Sequence, residues 1–364
     1  MSRMTEIQVE ASLGDSLIQE YGVNVDATVP ARLKQTRLLD NVRIFQVTNS
    51  SLNAYIVDTP QIRRIACHPN VVGAELEKLM LESAETTLKA ILELAEVDTK
   101  TDGVLFEQIL RAGPGYQLHN AAERLIPNTY RTVNIRPRYT HTSYRDHDGF
   151  VQKQLEVVFE DFSSLQKNSN IVLMMQDTVA SSRSAVISIE RVLHHCERVG
   201  SHIRKWVVYG FVSLEGLKLL GRIAQSYGIP LTCFALGNLT ALCSNNYDMP
   251  LFGVDESLWQ KDHSIHKIGA LVDRTTFMDY LPEFIPGADQ PGDWSARQSK
   301  LFTGTGYEDG NIDGHLENSI RLVESLRKIG TFGDWQDRIA RIELQLMKEK
   351  LADIMSEKVH AART

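Results

Sequence analysis

A loop at residues 108–116 contains residue types that can bind a phosphate group. Arg111 is followed closely by Ala112, Gly113 and Gly115. Small residues let backbone N–H groups approach an anion, and the Arg111 guanidinium adds a charged, bidentate donor. A lone G-x-G after a strand is more often a tight turn than an anion site, so this loop alone is weak evidence for binding.

A second loop, residues 176–185, follows the apolar run 171–175. It begins with Gln176 and the carboxylate Asp177, and a hydroxyl-rich turn then precedes a predicted helix. Hydroxyl groups and backbone N–H groups at a helix N-terminus suit a phosphate monoester. Asp and Ser are also preferred helix caps, so a plain helix start is the alternative interpretation. The turn consists of Ser181, Ser182, Arg183 and Ser184.

The elements around these loops alternate between strand and helix. Apolar runs indicate strands, and apolar residues spaced by three and four indicate helices. This alternation predicts an α/β protein with a parallel sheet flanked by helices. Ligands on such sheets bind beyond the carboxyl ends of the strands, so the loops after residues 106, 175 and 212 are expected along one edge. Predicted strands cover residues 103–106, 131–136, 152–159, 171–175, 206–212 and 231–236, and predicted helices cover residues 71–96, 116–125, 185–199 and 216–227.

Composition and charge exclude several classes of protein. The 364 residues carry 39 Lys and Arg against 46 Asp and Glu, a formal net charge of −7, which argues against general nucleic-acid binding. No apolar run approaches the ~20 residues that a membrane helix needs. The four cysteines are scattered, and the N-terminal residues lack the apolar core of a signal peptide. We therefore expect a cytoplasmic protein that binds neither nucleic acid nor membrane.

Five segments resemble motifs of the uracil phosphoribosyltransferases. One of them, residues 211–216, FVSLEG, stands where the family has a strand ending in A-x-P-E-G. Residues 109–115, ILRAGPG, are similar to the family's ILRAG-x-G loop, and residues 176–185, QDTVASSRSA, are similar to its D-P-x-x-A-T-G-G-S-A loop. His68-Pro69 resembles the family's His-Pro ahead of a long helix, and residues 304–311, GTGYEDGN, resemble its base-recognition loop. Because the segments occur in family order, the resemblance implies a type I phosphoribosyltransferase-like core.

The resemblance also implies an organisation for the whole chain. An N-terminal appendage would cover residues 1–60, a phosphoribosyltransferase-like core residues 61–315, and a C-terminal helical extension residues 316–364. Two amphipathic helices, broken near Gly330, are predicted in the extension. The family commonly forms dimers, so the resemblance implies a homodimer.

The implied reaction is Mg²⁺-dependent transfer of a phosphoribosyl group from phosphoribosyl diphosphate to a pyrimidine-like or related heterocyclic acceptor. The implied catalytic residues are Arg111, on the departing diphosphate, and Asp177, on the ribose. Mg²⁺ would bridge ligand oxygens and keep several waters, so no protein metal ligands are assigned. The polar segment 139–150 would close over the site and exclude water. The residues implied to bind the phosphorylated substrate or the acceptor are Ala112, Gly113, Gly115, Arg136, Arg138, Gln176, Ser181, Ser182, Arg183, Ser184, Gly304, Gly306, Asp309 and Gly310.

The chain departs from the family pattern in the ribose-binding loop. Gln176 stands where the family has an acidic residue, and Ser181, Ser182 and Arg183 replace Thr-Gly-Gly. The added side chains crowd the place of the 5′-phosphate, and a Cβ penalises positive φ. Arg183 either points outward or supplies a new phosphate contact. Three functions are compatible with these changes: a divergent enzyme with Asp177 on the ribose, a non-catalytic nucleotide-binding or regulatory protein, and an enzyme with other chemistry on a phosphorylated substrate.

Overall fold

The structure is a computed structural model that describes residues 10–33, 42–48, 52–139, 155–252, 255, 258, 266–285, 294–330 and 332–361. The strands are β1 (Val23–Asn24), β2 (Thr28–Pro30), β3 (Arg43–Val47), β4 (Asn53–Asp58), β5 (Gly103–Ile109), β6 (Tyr130–Tyr139), β7 (Leu155–Asp161), β8 (Asn170–Gln176), β9 (His202–Ser213), β10 (Leu231–Thr240), β11 (Ala270–Leu271), β12 (Lys300–Phe302) and β13 (Tyr307–Asp309). The α-helices are α1 (Ala11–Tyr21), α2 (Pro60–Cys67), α3 (Gly73–Leu94), α4 (Leu118–Leu125), α5 (Arg183–Arg198), α6 (Leu214–Ser226), α7 (Arg274–Tyr280), α8 (Trp294–Arg297), α9 (Ile312–Ile329) and α10 (Asp334–Ala361).

Eleven of the described strands form one sheet that is mostly parallel. Its order is β2-β3-β4-β10-β9-β8-β5-β6-β7, while β11 pairs with β10 and β1 pairs with β11. The six central strands, from β4 to β6 in this order, are parallel to one another. Antiparallel pairs occur at the two edges, where β2 and β3 extend one side and β7 the other. This architecture confirms the predicted α/β class.

The central strands are apolar on both faces because helices cover both sides of the sheet. In β8, Val172 and Met174 belong to one hydrophobic layer, and Leu173 and Met175 belong to the other. Helices α2, α3 and α4 contribute to the first layer, and α5 and α6 contribute to the second. Successive side chains of a strand point to opposite faces, so the apolar run in this segment serves both layers at once.

Both ends of the chain pack on this central unit. The segment expected to be an N-terminal appendage contributes β2, β3 and β4 to the sheet, and β4 pairs with β10. The predicted pair of C-terminal helices is confirmed, since α9 ends at Ile329, Gly330 has φ +77° and α10 begins at Asp334.

Within the described ranges, no helix combines the length and the apolar composition needed to cross a membrane.

A buried histidine attaches α10 to the core. The two ring nitrogens of His68 lie 2.8 Å from Glu283 and 2.9 Å from Glu343. The backbone N–H of Asn70 also donates to Glu343, at 3.1 Å. Burial by itself would lower the pKa of His68, but the hydrogen bonds to Glu283 and Glu343 outweigh it and raise the pKa to about 9. The histidine of the His-Pro segment is therefore a charged link between elements far apart in the chain.

One predicted element falls largely outside the described residues. The segment 139–150, expected to close over the site, is described only at Tyr139, the last residue of β6. The predicted strand 152–159 is described from Leu155, where β7 begins.

Candidate functional site

The loop after β5 turns tightly against the end of β8. Its 3-10 turn, Gly113–Tyr116, leads towards α4. A Cβ on Gly113 would lie 2.7 Å from the carbonyl oxygen of Gln176, and a Cβ on Gly115 would lie 2.4 Å from the Gln298 side chain. Close packing against backbone therefore requires glycine at position 113, whereas a side chain at position 115 would displace the end of the Gln298 side chain. The first predicted loop thus lies directly beside the second.

The loop after β8 is held along β9. The N–H of Asp177 donates to the carbonyl oxygen of Tyr209 at 3.2 Å, and the N–H of Val179 donates to that of Phe211 at 2.8 Å. The N–H of Ser213 then donates to the carbonyl oxygen of Val179 at 2.8 Å. The chain thus follows its neighbouring strand to the carboxyl edge of the sheet before α5 begins.

A serine with a left-handed backbone precedes α5. Ser182 has φ +63°, and its hydroxyl donates to the carbonyl oxygen of Gly216 at 2.8 Å instead of capping the helix. A Cβ on Gly216 would lie 2.3 Å from the carbonyl oxygen of Ala180, so this close approach needs glycine. Ser182 therefore keeps a positive φ where the resembling motif has glycine, and the first N–H groups of α5 point towards the loop.

The other side chains at the start of α5 differ in their surroundings. Ser181 and Ser184 are half-buried, whereas Arg183 is exposed. Burial raises the pKa of Tyr139, and the charge of Arg183 and its hydrogen bond to the Tyr139 hydroxyl oppose this shift. Arg183 is therefore directed towards the end of β6, and the hydroxyl groups of Ser181 and Ser184 border the helix N-terminus.

A pair of hydroxyl groups joins the two loops. The Tyr116 hydroxyl lies 2.5 Å from that of Thr178 and accepts a hydrogen bond from the Phe211 N–H at 3.5 Å. The Tyr116 ring is fully buried and stacks on Trp294, with ring centroids 4.5 Å apart. Tyr116 therefore holds the loop after β5 against both the loop after β8 and the end of β9.

Gln176 is the centre of a buried hydrogen-bond network. Its Oε1 accepts from the N–H of Leu118 at 2.8 Å, and its Nε2 lies 2.7 Å from Gln108 Oε1 and 2.8 Å from His119 Nδ1. Burial lowers the pKa of His119 to about 4, although the hydrogen bond to Gln176 opposes the shift. The ring is therefore neutral, and Nδ1 accepts. A carboxylate at position 176 could not donate to these two acceptors, which gives a physical reason for the amide.

Two buried carboxyl groups lie near the same edge. Asp177 is 8% exposed, and burial raises its pKa to about 7 against the effect of a backbone hydrogen bond. Glu107 is fully buried in β5. Burial, and to a smaller extent the charge of Asp177, raises the pKa of Glu107 to about 8 against the effect of a hydrogen bond from Ser188. Glu107 is thus mainly protonated at neutral pH, where Asp177 titrates.

Two arginines converge on one carboxylate. Arg111 donates to Glu308 Oε1, and Arg136 Nη2 lies 3.9 Å from the same oxygen. Arg136 also donates to the carbonyl oxygen of Thr303 at 3.3 Å. The side chains of Arg111, Arg136 and Glu308 are 27%, 25% and 39% exposed, so solvent reaches this cluster. Arg138, also predicted to bind the substrate, is exposed farther along β6.

The hairpin of β12 and β13 carries the residues predicted from the base-recognition resemblance. Gly304 has φ +102°, and a Cβ there would lie 2.4 Å from the Phe159 ring of β7. The carboxylate of Asp309 pairs with Lys300 across the hairpin. Glu308 lies on the same strand, so the hairpin reaches the loop after β5. The predicted residues on this hairpin and at its end are Gly304, Gly306, Asp309 and Gly310.

Sequence reasoning missed several residues that shape this site. Glu308 stands inside the segment 304–311, but its partner Arg111 is 197 residues away in the chain. Tyr116 is the last residue of the first loop, and this position is the one local signal for its role. Gln298 and Glu107 have no signal in the sequence pattern. Among the residues that the structure describes, no group of three or more His, Cys, Asp or Glu side chains could hold a metal ion.

Comparisons with known proteins add a limited structural similarity. No protein-family model matches the chain, and no curated protein matches it. Among solved structures, a hypoxanthine phosphoribosyltransferase from Staphylococcus aureus is similar at 11% sequence identity with a TM-score of 0.24. The similarity covers 39% of this chain and 66% of that enzyme, slightly less than two thirds of its length. A similarity of this extent assigns neither a family nor an activity.

Proposed function

We propose that the protein binds phosphoribosyl diphosphate at the carboxyl edge of its sheet and transfers the phosphoribosyl group to a pyrimidine-like or related heterocyclic acceptor. The observation that carries this proposal is the contact between Tyr116 and Thr178 at 2.5 Å. It holds a loop suited to a diphosphate beside a loop suited to a ribose phosphate. Such a ligand needs both kinds of loop at a short, fixed separation.

Each part of the ligand has candidate partners in this arrangement. Arg111 and the backbone N–H groups of residues 112–115 would stabilise the departing diphosphate, whose negative charge grows in the transition state. Asp177 would accept hydrogen bonds from the ribose hydroxyls. The N-terminus of α5, with the hydroxyls of Ser181 and Ser184, would bind the 5′-phosphate. Ser182 would contribute through its backbone, because its hydroxyl is bonded to Gly216.

Mg²⁺ fits this site as an ion held mainly by the ligand. In proteins the ion commonly keeps several waters and binds one or two carboxylates together with substrate phosphates. Asp177 is a strand-end carboxylate of the kind required, and the described residues form no larger cluster of metal-binding side chains. When bound, the ion would supply positive charge to the diphosphate.

A non-catalytic nucleotide-binding or regulatory protein is the second candidate function. Two observations favour it: Arg111 is already paired with Glu308, and Gln176 places its amide in a buried network. A protein of this kind would bind a nucleotide monophosphate at the start of α5. It would catalyse no reaction, so Arg111 would have no departing diphosphate to stabilise.

Calorimetric titration of phosphoribosyl diphosphate, with and without Mg²⁺, tests the first candidate against the second. Mg²⁺-dependent binding, followed by diphosphate release with one of a panel of heterocyclic acceptors, is expected for a transferase. Binding of a nucleotide monophosphate alone would favour the regulatory protein. Failure to bind either ligand would contradict both candidates.

Arg111→Ala gives a second test at a single residue. The variant is expected to abolish turnover, because the diphosphate loses its charged donor. Arg124→Ala is the matched control, since Arg124 lies on α4 and pairs with Glu85 at the surface. Turnover that survives in folded Arg111→Ala would exclude the assigned role.

A further inference from the structure

The hairpin of β12 and β13 brings an anion of its own to the arginines of the candidate site. Arg111 donates to Glu308, and Arg136 lies within ion-pair distance of the same oxygen. Two guanidinium groups thus face a single carboxylate. An incoming phosphate group could bind the same two guanidinium groups, because a guanidinium forms bidentate hydrogen bonds with both carboxylates and phosphates.

The base of the hairpin, at Ser299 and Gly310, is fixed by backbone hydrogen bonds. The N–H of Gly310 donates to the carbonyl oxygen of Ser299 at 3.2 Å, and the N–H of Ser299 donates to Glu77 at 3.0 Å. A Cβ on Gly310 would lie 1.8 Å from the carbonyl oxygen of Gln298, so the backbones are in close contact there. Farther along the hairpin, the carboxylate of Glu308 contacts Arg111 and Arg136, and all three side chains are partly exposed.

We propose that Glu308 is an internal competitor for the anion site. In the ligand-free protein its carboxylate neutralises Arg111 and Arg136, and a diphosphate group binds these arginines only after Glu308 has withdrawn. Anion binding at the loop after β5 therefore moves the strand β13. The proposal rests on the anion-binding role of Arg111 in the function proposed above.

The exposure of the cluster makes this competition reversible. Partly exposed ion pairs contribute little to stability because water and salt screen them. A diphosphate carries more charge than a carboxylate and can form bidentate hydrogen bonds with a guanidinium. It therefore displaces Glu308, but with a lower affinity than an uncompeted pair of arginines would give.

Titration of inorganic diphosphate into the full chain at low salt, followed by calorimetry, tests the proposal. Glu308→Gln keeps the shape of the side chain but removes its charge. Because the competing carboxylate is gone, the affinity for inorganic diphosphate is expected to increase roughly fivefold. Glu324→Gln is the matched control. It makes the same change on α9, where Glu324 is similarly exposed and pairs with Lys348, and is expected to change the affinity less than twofold. A purely structural role of Glu308 predicts no gain in affinity.

Unchanged or weaker diphosphate binding by Glu308→Gln, or an equal gain in Glu324→Gln, would overturn the competitor role. Glu308→Ser is the second variant if the first is poorly folded, and thermal unfolding checks both. Arg111→Ala separates the two proposals. If this change abolishes diphosphate binding while Glu308→Gln equals the wild type, only the competitor role fails. If it leaves binding intact, or if no variant binds diphosphate, the anion-binding role of Arg111 fails and the competitor role fails with it.

Discussion

The hydroxyl groups of Tyr116 and Thr178 lie 2.5 Å apart and join two loops that are separated by 62 residues in the chain. Tyr116 belongs to the turn after β5, and Thr178 follows the carboxylate at the end of β8. The Tyr116 ring is fully buried beside Trp294, and Thr178 is half-buried. The Tyr116 hydroxyl therefore helps to fix the relative position of the two loops, together with the packing of Gly113 against Gln176.

Removing this hydroxyl is expected to loosen both loops. Tyr116→Phe keeps the stacked ring but leaves the Thr178 hydroxyl without its partner. We expect the free energy of unfolding in urea to fall by about 1 kcal/mol and the affinity for phosphoribosyl diphosphate to fall with it. Tyr227→Phe, at a tyrosine 52% exposed, is the control and is expected to change neither. Unaltered stability and affinity in Tyr116→Phe would show that the contact is dispensable.

Ligand binding is expected to depend on pH through Asp177. Burial raises the pKa of this carboxyl group to about 7, so the carboxylate that would accept from the ribose forms as the pH rises through neutrality. Affinity for phosphoribosyl diphosphate in Mg²⁺ is therefore expected to increase between pH 6 and pH 8, beyond any change from ligand ionisation. Asp177→Asn is expected to bind weakly and to lose this protein-dependent increase. Asp353→Asn, on the exposed side of α10, is expected to retain it.

Stability is expected to decrease with pH because of Glu107. Burial raises its pKa from 4.5 to about 8, so the folded protein retains a proton that the unfolded chain releases. The free energy of unfolding therefore falls as the pH rises from about 5 to about 8. The side chain introduced by Glu107→Gln is neutral at every pH, so this decrease in the free energy of unfolding is removed. It is expected to be more stable than the wild type at pH 8, by at least about 1 kcal/mol in urea unfolding, and to differ less at pH 5. An advantage that does not grow with pH would contradict the buried, protonated state.

His68 is expected to cause a further loss of stability with rising pH, at higher pH than Glu107. Burial opposes its charge, but Glu283 and Glu343 raise its pKa from 6.5 to about 9. The stabilisation that charged His68 contributes to the fold is therefore complete below about pH 6.5 and is lost as the pH rises through 9. His68→Gln is expected to destabilise the protein by about 3 kcal/mol at pH 6, because the buried Glu343 loses its charged partner.

The difference between His68→Gln and the wild type is expected to shrink at pH 10. His202→Gln, at an exposed histidine, is the matched control and is expected to leave the unfolding curve unchanged at both pH values. A constant deficit of His68→Gln from pH 6 to pH 10 would contradict the charged link.

Much of the fold could be predicted because its signals are local. The apolar run of β8 and the spacing of apolar residues in α3 reflect burial that a short window of sequence already records. Alternation of strand and helix then predicted the parallel sheet. It also predicted that the loops containing Arg111 and Asp177 would lie at the carboxyl ends of their strands, as they do.

Local sequence patterns are therefore enough to predict the central strands and helices and the edge at which the candidate residues gather. Which of these residues contact one another follows from the folded arrangement. Glu308 reaches Arg111 across 197 residues, and Gln176 turns its amide to His119 and Gln108. Such partners depend on the packing of whole elements against one another, which the local period of hydrophobic and polar residues does not encode.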